Sequence, residues 1–159
     1  MSKDVLFAGN TSEIEILEFK AGGNSYGVSV GDIKEILPYN YKIKPIPNSH
    51  PHIEGIIMPR DFLITIINFK ECLKLTDVDE WKNEMLIVTS INDLNIALHV
   101  DSVSGIHRIG PTDITKPGKK LTTTQKEFVI GILDKGDRKI EIVDVRAIFT
   151  NIKPEIELD

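Results

Sequence analysis

With 159 residues and 17.8 kDa, the chain can form one compact domain or two small subdomains sharing a core, and two long independent domains are excluded. Its 19 basic against 24 acidic residues leave a net charge of −5, which argues against nucleic acid or an anionic membrane surface as the main partner. A single cysteine, Cys72, rules out an internal disulfide, and no apolar run approaches the ~18 residues of a membrane-inserted helix. With no basic and apolar signal region at its start, the chain reads as cytoplasmic.

Residues 1–12 are small, polar and turn-rich and read as a flexible leader. Ile14 to Phe19 is β-prone, Ala21-Gly22-Gly23-Asn24 is a turn, and Tyr26, Val28 and Val30 alternate with smaller residues, which predicts a hairpin with one buried face. Asp32 and Glu35 have capping-box spacing, and Ile33, Ile36 and Leu37 follow helical spacing up to Pro38, which predicts a short helix. A loop with Pro45 and Pro47 leads to a strand that ends in the rigid turn Pro59-Arg60-Asp61, exposing an arginine at a corner. Leu63 to Ile67 is apolar except for Thr65, as in a strand buried on both faces. Asn68 and Glu71 repeat the capping-box pattern ahead of Cys72, for which a small core residue is the expected role.

The acidic connection from Thr76 to Asn83 carries Trp81, a partner anchor or a lid. Two further hairpins follow, Glu84 to Ile91 with Leu94 to Val100, and Phe128 to Leu133 with Lys139 to Val143, before Asp144 caps a last short helix. The two halves repeat. Tyr26 to Ile36 aligns with Ile96 to Ile106, and both Gly55-Ile56-Ile57 and Ile66-Ile67-Asn68 recur as Gly131-Ile132-Leu133 and Ile142-Val143-Asp144. The length difference falls in the basic, Thr-rich loop Lys116 to Lys126, which reads as a solvated loop. Repeats of about five short strands are too small to bury their apolar faces alone, so two β-barrel-like subdomains packed together are expected.

Few residues suggest chemistry. His50, His52 and Glu54 alternate and could offer two imidazoles and a carboxylate to a metal, but a further strong ligand at fixed spacing is missing. His99 and His107 have no serine or cysteine nucleophile context, and a structural role is expected for both. Gly22-Gly23 lies in a hairpin turn, away from any helix start that could hold a phosphate. The open strand edges and the groove between barrels suit protein contact.

Tyr26 to Ile36, Pro45-Ile-Pro47, His52-Ile-Glu-Gly55 and the strand from Arg60 to Asn68 resemble the CheW-like coupling domain of bacterial chemotaxis, over about Glu13 to Phe149. Leu6 to Phe19 and His99 to Ile109 look closer to the amino-terminal domain of CheV proteins. The resemblance implies a mainly β fold of two SH3-like five-stranded β-barrel subdomains with short helices. The domain would run over 13–150, its two intertwined subdomains split near 76–83, with 151–159 an acidic tail or truncated linker. It implies no enzymatic activity, no cofactor and no metal. The implied role is an adaptor joining a CheA-type histidine kinase to the cytoplasmic tips of methyl-accepting chemoreceptors, at arrays under the inner face of the membrane. The implied contact residues are Ile33, Glu35, Gly55, Arg60 and Val103. This chain has Arg60-Asp61 where the family usually has Arg-Gly, and Thr65-Ile-Ile-Asn-Phe69 where it usually has Pro-Val-Ile-Asp-Leu; Asp61 is expected to pair with Arg60. The alternative is a small-ligand or metal sensor using the inter-barrel groove or His50 and His52.

Overall fold

Strand exchange between the two halves of the chain defines the architecture. The computed structural model describes residues 13–74, 84–116 and 128–156; the leader, the connection with Trp81, the basic loop after Lys116 and the last three residues lie outside the described residues. The first half supplies β1 (Ile14–Ala21), β2 (Asn24–Ser29), β3 (Ile33–Pro38), β4 (Ile53–Ile57), β5 (Ile64–Asn68) and helix α1 (Phe69–Cys72). The second supplies β6 (Met85–Ile91), β7 (Leu94–Val100), β8 (Ser102–Ile109), β9 (Ile114–Thr115), β10 (Val129–Asp134), β11 (Lys139–Val143) and helix α2 (Val145–Ile156). The strands form two sheets, in the order β8-β1-β2-β11-β10-β9 and β3-β6-β7-β5-β4. Each half therefore gives its first hairpin to one sheet and its remaining strands to the other. We call the sheets subdomains 1 and 2. They are the two expected five-stranded SH3-like units, with the two-residue β9 added to subdomain 1 where subdomain 2 has a single bridge between Lys44 and Ile56. No cut near 76–83 separates them, because the halves joined there are not the subdomains.

The pairings repeat residue for residue. β5 runs parallel to β7 with Ile66 opposite Ala97, and β11 runs parallel to β2 with Ile142 opposite Gly27. The bulge between Ile33 and Glu35 in the β3–β6 pair recurs in β8, where Val103 and Gly105 face neighbouring residues of β1. The bulge between Ile53 and Gly55 recurs between Val129 and Gly131. Even the helix caps match. Asn68 Oδ1 accepts from Glu71 N–H at 3.1 Å and Asp144 Oδ1 from Arg146 N–H at 3.0 Å.

Two-sided burial explains the unbroken apolar runs. Ile66 points into a cluster private to subdomain 2, with Leu86, Val88 and Ala97, whereas its neighbour Ile67 points into a core shared with Phe19, Tyr26, Phe69 and Phe149. Both are fully buried, at about 1.5–3 kcal/mol each. Subdomain 1 has its own interior around Ile16, Ile140 and Ile142. Leu63 departs from the expectation, being 47 % exposed just before β5 begins. Cys72 is buried as expected, and burial pushes its thiol up to about 12.

Two predicted elements differ. Ile33 to Leu37 forms strand β3, hydrogen-bonded to β6, and the only helical turn there is the 3-10 turn Val30–Asp32. Asp32 instead pairs with Arg146 at 3.0 Å, so neither it nor Glu35 is a capping-box acid. Helix α2 runs for 12 residues and its Ile152 is fully buried, so the core continues past residue 150.

Gly55 has φ +149, and a Cβ there would sit 2.3 Å from the Lys44 carbonyl oxygen; at Gly131 it would sit 2.3 Å from Ile114 Cγ2. Glu18, 1 % exposed on β1, is held by Arg138 through Nε at 2.7 Å and Nη2 at 2.8 Å, and by His107 Nε2 at 2.8 Å. The Arg138 hydrogen bonds hold the Glu18 carboxyl well below the usual range against the opposing effect of burial.

Chemical denaturation should find Gly55→Ala destabilised by about 2–4 kcal/mol, from backbone overlap plus the unfavourable φ, and Gly131→Ala by about 1–3 kcal/mol. A carboxyl whose folded value is depressed contributes stability that is complete above its unfolded value, 4.5, and is lost as pH falls through the folded one. Stability measured against pH should therefore decline below about pH 4.5. Glu18→Gln should flatten that acid limb and lower the melting temperature at pH ~7.

Candidate interaction surface

Glu35 and Arg60 come together at one end of subdomain 2. Glu35 lies on edge strand β3, and Arg60 occupies the tight turn Pro59–Asp61 between β4 and β5, where both Arg60 and Asp61 have positive φ. Arg60 Nη2 donates to both Glu35 carboxylate oxygens at 2.9 Å. The guanidinium thus turns to Glu35 and not to Asp61, contrary to the sequence expectation. The arginine side chain stays 59 % exposed and the glutamate 29 %, so water screens the pair and its contribution is about 0–1 kcal/mol. The pair fixes geometry more than it stabilises the fold.

Beside it lies a shallow depression of about 200 Å³ with Ile64 and Val88 in its floor. Lys34 forms one wall, its Nζ 5.1 Å from the Phe62 ring centroid and 3.2 Å from Asn95 Oδ1. Three large apolar side chains crowd the same turn, Met58, Phe62 and Leu63, exposed by 56, 51 and 47 %. A turn this apolar on its outer side, rimmed by charge, has the composition of a protein contact.

The internal repeat shows how specific this end is. In subdomain 1, Gly136 stands where Arg60 stands, Arg138 where Phe62 stands, Glu18 where Val88 stands and Gly105 where Glu35 stands. That end is filled by the Glu18–Arg138–His107 network. The backbone matches while the chemistry does not.

The other expected contact residues fall elsewhere. Gly55 is buried in β4 against Lys44, a packing position. Ile33 and Val103 are counterparts, on edge strands β3 and β8, and both pack partly buried against the shared core. Neither lines the depression. Their successors Ile36 and Ile106, also counterparts, are 37 and 57 % exposed.

At the opposite end of subdomain 2 sits a polar cluster that sequence reading missed. His99, 4 % exposed on β7, binds Glu54 through Nδ1 and Glu84 Oε1 through Nε2 at 2.7 Å. The Tyr39 ring stacks on the imidazole at 3.5 Å, and its hydroxyl donates to Glu54 Oε1 at 2.6 Å. Burial, then the Glu54 hydrogen bond, pushes the Tyr39 hydroxyl up; burial opposes ionisation of Glu54, but bonds from His99 and Tyr39 outweigh it and hold its carboxyl low. Glu54 is thereby turned away from His50 and His52, whose rings lie edge to face at 4.5 Å. The three-ligand metal set is not assembled, and burial followed by the neighbouring His50 lowers the pKa of His52. Among the described residues no group of three or more His, Cys, Asp or Glu is arranged to hold a metal, and no helix is long and apolar enough to cross a membrane.

Comparison with known proteins bears on the family and the fold. The model of the CheW-like domain matches residues 15–153. The chemotaxis protein CheW of Treponema pallidum is 23 % identical over 152 residues, covering 92 % of this chain and 88 % of the relative. That of Thermotoga maritima is 28 % identical over 142 residues, covering 88 % and 90 %. The crystal structure of the scaffolding protein TtCheW from Thermoanaerobacter tengcongensis superposes with a TM-score of 0.78 at 26 % identity, covering 89 % of this chain and 90 % of that one. With this match over nearly the whole chain, on a duplicated two-subdomain β fold, the chain belongs to the family of CheW-like domains.

Proposed function

We propose that this CheW-like protein is a noncatalytic adaptor that couples chemoreceptors to a CheA-type histidine kinase, working in the cytoplasm at receptor arrays. Its mechanism is geometric. A body of two subdomains sharing one core holds two partners at fixed positions, and a receptor's change of state reaches the kinase through differential contact. Arg60, Glu35 and the apolar turn from Met58 to Leu63 form one docking face in this reading. Ile33 and Val103, beside the exposed Ile36 and Ile106, lie on edge strands available for receptor or kinase contact in the same reading, and Gly55 contributes by positioning β4.

One observation carries the reading. Arg60 has φ 52, a conformation that costs a non-glycine residue roughly 1–2 kcal/mol, while its counterpart Gly136 adopts φ 87 without that cost. Glycine is thus available to this turn elsewhere in the same chain. An arginine kept there under strain, with only a screened ion pair to offset it, points to a use in contact.

Titration calorimetry of the purified protein with the regulatory domain of the CheA kinase, followed by a receptor tip, tests the role; micromolar binding to both, with a ternary complex, is expected. Arg60→Gly should keep or raise the melting temperature, since it relieves the strained φ, yet weaken association at that face about tenfold or more. Unchanged affinity for both partners would remove Arg60 from the contact.

A further inference from the structure

We propose that the depression beside Arg60 seats one large apolar side chain of a protein partner, while Lys34 and Asp61 at its rim receive an acidic and a basic residue flanking that side chain; this rests on the docking reading above and specifies what that face selects. Size decides the kind of occupant. The depression holds about 200 Å³. A cavity of about 150 Å³ holds a benzene ring and small-molecule sites start near ~300 Å³, so the space fits one aromatic or branched aliphatic side chain. Its floor, Ile64 and Val88, is aliphatic, and the exposed Met58, Phe62 and Leu63 extend the apolar surface around it, which favours an apolar anchor.

Charge decides what flanks the anchor. Lys34, Glu35 and Arg60 line the depression, and the exposed Asp61 stands between Arg60 and Phe62, which also lines it. Glu35 and Arg60 neutralise each other. Among the described residues Lys34 meets the Phe62 ring, at 5.1 Å, and Asn95 Oδ1, at 3.2 Å, but no carboxylate, and Asp61 has no hydrogen bond or ion pair. One cation and one carboxylate are left over, so a complementary segment carries one charge of each sign. The backbone asks position 61 only for a residue that tolerates positive φ, which Asp93 also adopts, and glycine or asparagine would serve there. The charge of Asp61 is therefore not a requirement of the turn.

The repeat supplies the precedent for filling such a place. In subdomain 1, Arg138 stands where Phe62 stands and lays its guanidinium on Glu18, which stands where the floor residue Val88 stands. Asp137, in the place of Asp61, accepts from Arg138 Nη1 at 2.8 Å, and Ser104 takes the place of Lys34. That end covers its floor with its own side chain and satisfies its own charges. In subdomain 2 Phe62 faces Lys34 instead, and the floor is left apolar. What the chain supplies for itself in one subdomain has to come from outside in the other.

The test uses the whole chain, with labelled isoleucine and valine methyl groups, and two probes, the regulatory domain of the CheA kinase and a receptor tip. One of them should shift the Ile64 and Val88 methyl resonances and leave those of Ile140, the counterpart of Ile64, in place. For that probe, calorimetry at about 0.05 M salt should find Asp61→Lys and Lys34→Glu each weaker by about tenfold or more and Asp61→Asn by about threefold, with melting temperatures close to that of the unsubstituted chain. The losses should shrink at about 0.5 M salt, where exposed charges are screened. Failure of the unsubstituted chain to bind either probe would overturn the docking reading and this assignment with it. Binding that leaves the Ile64 and Val88 methyl groups unmoved, or that both charge reversals leave intact, would overturn this assignment alone.

Discussion

The parallel pairing of β5 with β7, repeated as β11 with β2, is the constraint on which the rest of the molecule depends. Each pairing joins the first hairpin of one half to the last hairpin of the other, so neither half can complete a sheet alone. The joined strands are also buried on both faces. Side chains alternate between a subdomain's private interior and the shared core, and a one-residue slip in register would exchange the two sets. Ion pairs between the halves reinforce the exchange, one of them through the buried Lys70. Lys70 of α1 meets Asp101 of the second half, and Arg146 of α2 meets Asp32 of the first. The scaffold that results cannot be divided between the two halves of the chain.

The duplication also serves as an internal control on what each polar residue does. Features common to both halves belong to the fold: the bulges at matching positions, the close-packed Gly55 and Gly131, the capped helix starts. Features found once have another explanation. The buried Glu18 network fills one end of subdomain 1 where subdomain 2 leaves a depression, and the His99 cluster closes an end of subdomain 2 where subdomain 1 uses isoleucine. A buried ionic network is rarely the most stable filling for such a site, so its presence on one side only marks a place where the halves have been specialised. The strained Arg60 opposite an unstrained Gly136 is the same signal in the backbone.

Much of the site was legible from the residues and some was not. The alignment of Ile33–Ile36 with Val103–Ile106 already contained the correct answer for β3, because the second copy, with its Ser-Gly pair, has no helical character. The capping-box spacing of Asp32 and Glu35 pointed the other way, and local spacing lost to the ladder with β6. Glu18 shares a strand face with Ile14 and Ile16, and a lone acid on a core face is a readable sign of a buried partner, although nothing local says that the partner is Arg138, 120 residues away. His99 looked like an isolated histidine because its carboxylates come from Glu54 and Glu84, on other elements.

Periodicity, turn chemistry and the internal repeat determined the class of fold, the three hairpins, the helices capped by Asn68 and Asp144 and the burial of Cys72, because each depends on residues within a few positions of one another or on comparing the chain with itself. Only the tertiary structure decided that the halves exchange strands, that Arg60 turns to Glu35 and not to Asp61, and that Glu54 leaves His50 and His52 for His99. Those outcomes depend on which distant surfaces meet, and side chains at the meeting choose partners by reach and desolvation, which spacing along one strand does not encode.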